Sequence, residues 1–138
     1  MMMRKIKCLL ATAITVSALQ ATPARATGGV YCEGARDEKI AVLLTVGRVP
    51  GFAVVEARIG AGDQDWAMHG RDGATEIVLL QGAVVGDQII ADFGDPNYEN
   101  VVASLRLTQA EDEDGMSVAG GVLSIPGVGA WPVVCDIE

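Results

Sequence analysis

The residue of this chain with the widest catalytic potential is His69, the only histidine among 138 residues. Histidine is the side chain that most readily exchanges a proton near neutral pH. Three carboxylates, Asp63, Asp65 and Asp72, lie near it in sequence and could complete a hydrolytic or metal-dependent centre. If residues 64–69 form a strand, Asp65 and His69 are roughly 13 Å apart, too far for a direct pair.

The serines offer no obvious nucleophile for His69 to activate. After residue 26 the chain has Ser104, Ser117 and Ser124. None of them lies in the Gly-x-Ser-x-Gly sequence of a nucleophile elbow. We therefore expect a non-enzymatic protein with His69 on the surface at a strand end. A small hydrolase or metal-dependent enzyme centred on His69 is an alternative.

Metal ligands are also few. Zinc requires three or four His, Cys or carboxylate ligands, and this chain has a single histidine. Calcium takes oxygen ligands, and the acidic run before Gly115 offers Glu111, Asp112 and Asp114 as candidate metal ligands. That run does not match an EF-hand loop, and charge runs usually mark solvated faces. We expect a charged hairpin tip and no cofactor, and calcium binding stays an open alternative.

The aromatic residues divide into inward-facing and outward-facing positions. Strand alternation places Trp66 and Trp131 on the core side. Tyr31 falls on the outward side of its strand, and Tyr98 falls in a long polar loop. Tyr31 and Tyr98 are therefore the candidate recognition residues.

The first 26 residues have the features of an export signal. Arg4, Lys5 and Lys7 precede an apolar run from Cys8 to Leu19, and Ala24-Arg25-Ala26 forms a small-x-small cleavage site. We expect cleavage between Ala26 and Thr27, which leaves residues 27–138 as a single domain in the periplasm or outside the cell. The apolar run is too short to span a bilayer, and no membrane insertion is expected.

Two cysteines remain after this cleavage, Cys32 and Cys135. In an oxidising compartment disulfides form and persist, and two cysteines allow one intrachain pairing. A redox-active pair usually has close spacing and a basic neighbour. Instead, Glu33 and Asp136 adjoin these cysteines. We predict a structural disulfide that joins the terminal strands.

Short apolar runs rich in Val, Ile and Leu alternate with Gly, Asp, Pro or Asn clusters. This pattern predicts an all-β fold, a small antiparallel β-barrel or sandwich of about eight strands. The predicted strands lie near 30–33, 40–46, 52–59, 64–69, 74–81, 88–93, 101–109, 116–125 and 131–137. Only 36–46 also fits helical spacing, so strand and helix both stay open there.

The charge of the chain restricts its partners. Residues 27–138 contain six Lys or Arg and eighteen Asp or Glu, a formal charge of −12. Nucleic acids and anionic membrane surfaces select basic patches. We therefore expect no nucleic-acid partner. The partner itself is left open by the sequence, with a basic protein as one candidate. The sequence leaves the oligomeric state open.

In outline the chain resembles the MliC-type periplasmic inhibitors of c-type lysozyme. The resemblance consists of export, small size, acidity, Tyr31 beside Cys32, and Cys135 near the C-terminus. A Ser-Gly-x-x-Tyr segment and a Tyr-x-Cys start are both missing. The resemblance implies a small antiparallel barrel and a basic target. We expect a binding or accessory protein of the bacterial envelope, with inhibition of a basic hydrolase such as c-type lysozyme as an alternative.

Overall fold

The structure, a computed structural model, describes residues 27–47, 49–71 and 73–138. The predicted export signal therefore lies outside the described residues. Its predicted cleavage site, before Thr27, lies at the boundary of the described residues. The described residues form nine strands and no helix that could cross a membrane. In chain order they are β1 Thr27–Gly34, β2 Ile40–Gly47, β3 Ala53–Ala61, β4 Gln64–Met68, β5 Thr75–Val85, β6 Gln88–Gly94, β7 Val101–Glu111, β8 Ser117–Ile125 and β9 Gly129–Ile137.

The predicted strands agree with the observed ones. Each of the nine predicted segments is a strand, with ends that differ by a few residues. The segment 36–46, which also fits helical spacing, contributes the strand β2 from Ile40 onward. Its β-branched residues favour extended backbone over helix.

The nine strands close into one barrel in which each strand pairs with its neighbours in sequence and β1 pairs with β9. One pairing departs from the predicted antiparallel arrangement. β4 and β5 run parallel, with Trp66 opposite Thr75. Positive φ angles at His69, Gly70 and Gly73 (64°, 56° and 77°) turn the chain back alongside β4 within the short connection. Gly adopts such angles without a steric penalty.

The core lies inside the barrel and receives apolar side chains from every strand. Among the described residues, no polar or charged residue is buried. Trp66 is buried and Trp131 is half-buried against the core, as their alternation predicts. Removal of this apolar surface from water is the main favourable contribution to folding.

A β-bulge in β3 contradicts simple alternation. The sequence pattern groups Ala53 and Val55 with the inward-facing Ala57. In the structure the register shifts, so that Val54 is buried and Val55 is 47% exposed. One extra residue in a strand moves the side chains on one side of the bulge from the inward to the outward face, and the reverse.

The terminal strands are joined as predicted. Cys32 lies opposite Cys135 in the β1–β9 pairing, and the two form a disulfide. Both cysteines are buried in the core. A disulfide is consistent with an oxidising extracellular or periplasmic location.

Candidate recognition surface

The two candidate recognition tyrosines lie on different sides of the barrel. Tyr31 is 46% exposed on the outer face of β1, and Tyr98 is 66% exposed in the β6–β7 connection. Tyr98 lies beside residues of β5. Because β1 and β5 are four strands apart in the closed ring, the two tyrosines do not form one binding surface.

Tyr31 belongs to an exposed apolar stripe across β2, β1, β9 and β8. Tyr31 lies opposite Leu43 of β2, Val134 of β9 lies diagonal to Tyr31, and Val122 of β8 lies diagonal to Val134. In antiparallel sheets opposite Cβ atoms are about 5 Å apart and diagonal neighbours about 7–8 Å apart. The four side chains are 46%, 46%, 59% and 45% exposed, respectively. We call Tyr31, Leu43, Val122 and Val134 the Tyr31 surface.

Two carboxylates lie within the Tyr31 surface. Asp136 is directly opposite Tyr31, and Glu33 is directly opposite Val134. The Tyr31 hydroxyl donates a hydrogen bond of 3.2 Å to Glu33 Oε1. This hydrogen bond, followed by the negative charge of Glu33, raises the pKa of Tyr31 above its ordinary value. The surface therefore combines an aromatic ring, aliphatic side chains and negative charge.

Two arginines lie at the edges of the Tyr31 surface. Arg58 is on the β3 side, and Arg106 lies opposite Val122. Arg106 forms a two-point ion pair with Asp92, with Nη1 2.9 Å from Oδ1 and Nη2 3.0 Å from Oδ2. Burial raises the pKa of Asp92, but the hydrogen bonds from Arg106 and Ser104 together with the positive charge of Arg106 lower it by more, so the pKa lies below its ordinary value. The charge of Arg106 is thus largely compensated, and negative charge dominates the centre of the surface.

The Tyr98 connection is held in shape by Asp95. Its two carboxylate oxygens accept hydrogen bonds from the Glu99 backbone N–H (3.0 Å) and the Asn100 side chain (2.8 Å). The Asn100 side-chain bond, followed by the Glu99 bond, holds the pKa of Asp95 below its ordinary value. Tyr98 lies within this turn with a φ of 61°, a conformation that is uncommon for residues other than Gly.

His69 lies directly after β4 and is exposed. Its Nε2 atom is 3.4 Å from the carbonyl oxygen of Val55, a long hydrogen bond. Together with Glu76 and Tyr98 it borders a shallow groove of about 230 Å³. Tyr98 is the only candidate from the sequence that lies beside His69 in the described structure.

Two of the three carboxylates of the enzyme alternative, Asp63 and Asp65, do not border the groove of His69. Asp63 lies in the β3–β4 turn and Asp65 is exposed on β4, and neither borders the groove of His69. Asp72 lies outside the described residues. Within the described ranges we find no hydrogen bond or ion pair between His69 and a carboxylate.

The acidic run after β7 forms a turn. Asp112 Oδ1 accepts hydrogen bonds from the backbone N–H groups of Asp114 (3.0 Å) and Met116 (2.8 Å). Glu111 is the last residue of β7. No cluster of three or more His, Cys, Asp or Glu residues that could hold a metal ion occurs in the described part of the chain. The structure therefore does not bring Glu111, Asp112 and Asp114 together as a ligand set.

Sequence reasoning found Tyr31 but missed the other members of its surface. Leu43, Val122 and Val134 each adjoin a residue that is completely or almost completely buried, and within an apolar run their side chains look like further core. Their signal is parity, because each shares the outward face of its strand with polar or small residues. Alternation shows which residues of one strand face outward. Which outward-facing residues of different strands are neighbours follows only from the strand register.

The chain was compared with protein-family models, with curated proteins and with solved structures, and none of them matches it.

Proposed function

We propose that this chain is an exported, acidic, non-enzymatic binding or accessory protein of the bacterial envelope, and that its Tyr31 surface binds a basic protein. In this proposal cleavage between Ala26 and Thr27 releases residues 27–138 into the periplasm or the medium. The observation that carries it is the position of Glu33 and Asp136 inside a contiguous exposed apolar stripe.

The stripe offers the aromatic and aliphatic side chains that many interfaces use. Scattered exposed hydrophobic residues are normal, whereas contiguous exposed apolar patches are typical of interaction sites. Tyrosine is enriched among the residues that contribute most to binding energy, because it adds apolar area and a hydrogen-bonding hydroxyl. The Tyr31 hydroxyl is already oriented by Glu33.

The charge supports a cationic partner. A Lys or Arg of the partner could approach Glu33 and Asp136 while apolar side chains cover Tyr31 and Val134. The formal charge of −12 on residues 27–138 would also accelerate the encounter with a positively charged protein, with an effect that falls as salt increases. Inhibition of a basic hydrolase such as c-type lysozyme is the narrower form of this proposal, and the same charge supports it.

Capture from an envelope extract tests the proposal. Immobilised residues 27–138 are incubated with extract at low salt, and retained proteins are identified by mass spectrometry and released at high salt. We expect the retained proteins to be basic, and Tyr31→Ala to weaken retention by about tenfold or more. Tyr98→Ala is the matched control, since it removes an exposed tyrosine on the other side of the barrel. Retained proteins that are not basic would contradict the proposal.

A second pair of variants separates local recognition from net charge. The double variant Glu33→Gln/Asp136→Asn and the control Asp63→Asn/Glu99→Gln each remove two negative charges. We expect only the first to weaken retention at a fixed salt concentration. An equal loss in both would mean that total charge, and not the Tyr31 surface, selects the partner. A cell-wall lysis assay with c-type lysozyme tests the narrower form directly.

A further inference from the structure

One end of the barrel contains an open apolar cavity. The β2–β3, β5–β6 and β7–β8 connections lie at this end, and six strands contribute to the lining of a cavity of about 240 Å³. Val30 and Ile89 at its base are 2% exposed, whereas Val84 at its rim is 46% exposed. We call this space the mouth cavity, and its apolar side chains are Val30, Val46, Phe52, Val84, Ile89 and Ile137.

The distribution of large and small residues explains why this end is open. Trp66, Phe93 and Trp131 lie toward the opposite end, because Phe93 is near the end of β6 and Trp131 is near the start of β9. At the mouth, by contrast, the apolar side chains that line the cavity are valines, isoleucines and one phenylalanine. Mouths of β-barrels are a common place for small-molecule sites.

One side of the mouth cavity is polar and negatively charged. Gln109 and Glu138 border the cavity itself. Gln109 also borders an adjoining cleft that Asp87, Glu111 and Ser117 line. The Gln109 backbone N–H donates a 2.7 Å hydrogen bond to the Asp87 carbonyl oxygen, which fixes the β5–β6 hairpin beside β7. Among the described residues that line the two spaces there are three carboxylates and no Lys or Arg.

We propose that the mouth cavity binds a small cationic amphiphile, with its aliphatic chain in the cavity and its ammonium group toward Asp87, Glu111 and Glu138. A cavity of about 240 Å³ with an apolar lining can hold a short aliphatic chain. The carboxylates favour a cationic head group, because the charged side chains among the described lining residues are all negative.

Calorimetric titration of residues 27–138 with octylamine, octanol and octanoate, each below its aggregation concentration, tests this assignment. We expect octylamine to bind about twofold to fivefold more tightly than octanol, the range that partly exposed charge pairs provide. Octanoate should bind most weakly. Equal binding of octylamine and octanol would overturn the cationic head group, and the absence of any octylamine binding would overturn the site.

Two adjacent valines provide a matched pair of variants. Val84→Trp adds a ring at the rim of the mouth cavity, where it should block entry and reduce octylamine binding at least tenfold. Val85→Trp adds the same ring at the next residue. Val85 is 64% exposed and does not line the cavity, so this variant should bind octylamine as tightly as the wild type does. Thermal melting confirms that both variants fold. Unchanged binding in a folded Val84→Trp variant would overturn the proposal.

Discussion

Cys32 and Cys135 lie directly opposite each other at the pairing that closes the barrel. In the described part of the chain every other strand pairing joins strands that are consecutive in sequence. The β1–β9 pairing must instead bring together residues 103 positions apart. Closing a long loop costs conformational entropy, and the disulfide removes that cost from folding by restricting the unfolded chain.

Replacing both cysteines should therefore destabilise the protein without changing its fold. In the chain-entropy account a loop of about 100 residues corresponds to about 4–5 kcal/mol, and measured effects are often smaller. We expect Cys32→Ala/Cys135→Ala to lower the free energy of unfolding by about 3–5 kcal/mol in urea denaturation. Reductant should lower the melting temperature of the wild type and leave that of the variant unchanged. A variant as stable as the oxidised wild type would contradict this account.

Two neighbouring glycines in β8 should respond oppositely to the same substitution. A Cβ atom at Gly121 would collide with the Arg106 carbonyl oxygen and lie 2.9 Å from Leu107 Cα, both in backbone of β7. At Gly120 the nearest atom would be the Val133 carbonyl oxygen at 3.7 Å, an ordinary contact.

We expect Gly121→Ala to lower the free energy of unfolding by about 1–3 kcal/mol, because backbone cannot move aside as easily as a side chain. Gly120→Ala should be neutral or stabilise by up to about 1 kcal/mol, since alanine restricts the unfolded chain. Chemical denaturation of both variants measures the difference. Equal destabilisation would show that loss of strand flexibility, rather than collision, is responsible.

The strands could be predicted from sequence because they depend on the local pattern of apolar and turn residues. The disulfide could be predicted because two cysteines allow only one intrachain pairing. Inward parity of Cys32 and Cys135 agreed with the single possible pairing. The inversion between Val54 and Val55 could not be predicted, because either valine satisfies an apolar position and the bulge depends on pairing with β2. The parallel β4–β5 pairing was missed for a similar reason. The turn at His69 and Gly70 looks like a hairpin turn until the register with Thr75 is known.

The Arg106–Asp92 pair should contribute to stability despite its position on the barrel surface. Asp92 is only 14% exposed, whereas Arg106 is 49% exposed, so solvent screens the pair in part. Hydrogen bonds to charged groups contribute about 1.5–3 kcal/mol when they are protected from water. For this pair we expect Arg106→Ala to lower the free energy of unfolding by about 1–2 kcal/mol.

A double-mutant cycle isolates that contribution from other effects of the substitution. Arg106→Ala should cost much less in an Asp92→Ala background than in the wild type, with denaturation measured at pH 7. Because the pKa of Asp92 is lowered in the folded state, the contribution is present above about pH 4 and is lost as pH falls below it. Identical costs in the two backgrounds would exclude a coupled pair.

The Tyr98 connection should lose order in acid. The pKa of Asp95 lies below its ordinary value because the carboxylate accepts hydrogen bonds from Asn100 and Glu99. A lowered pKa means that the ionised form holds the turn. Order is therefore fully present above about pH 4 and is lost as pH falls through the folded-state pKa. We expect the Glu99 and Tyr98 amide resonances to shift together in this range.

Asp95→Asn should mimic the acid state at neutral pH, with faster amide exchange in residues 95–100. Asp63→Asn is the control, because it removes the charge of an exposed aspartate in a different turn, the β3–β4 turn. If the amides of Asp95→Asn exchange as slowly as in the wild type, the charge of Asp95 does not hold the turn.

His69 should affect stability through its backbone conformation more than through its imidazole ring. Its φ of 64° lies in the left-handed region, which Gly adopts freely, His tolerates and β-branched residues strongly avoid. We expect His69→Val to lower the free energy of unfolding by about 1–2 kcal/mol. His69→Gly should leave that free energy unchanged or raise it, and His69→Ala should change it little.

None of the three His69 variants should alter retention of a basic partner, because His69 lies away from the Tyr31 surface. Thermal melting and a general hydrolase assay on all three variants check this. A hydrolytic rate that disappears in His69→Gly and His69→Ala while their melting temperatures stay intact would instead support an enzyme centred on His69.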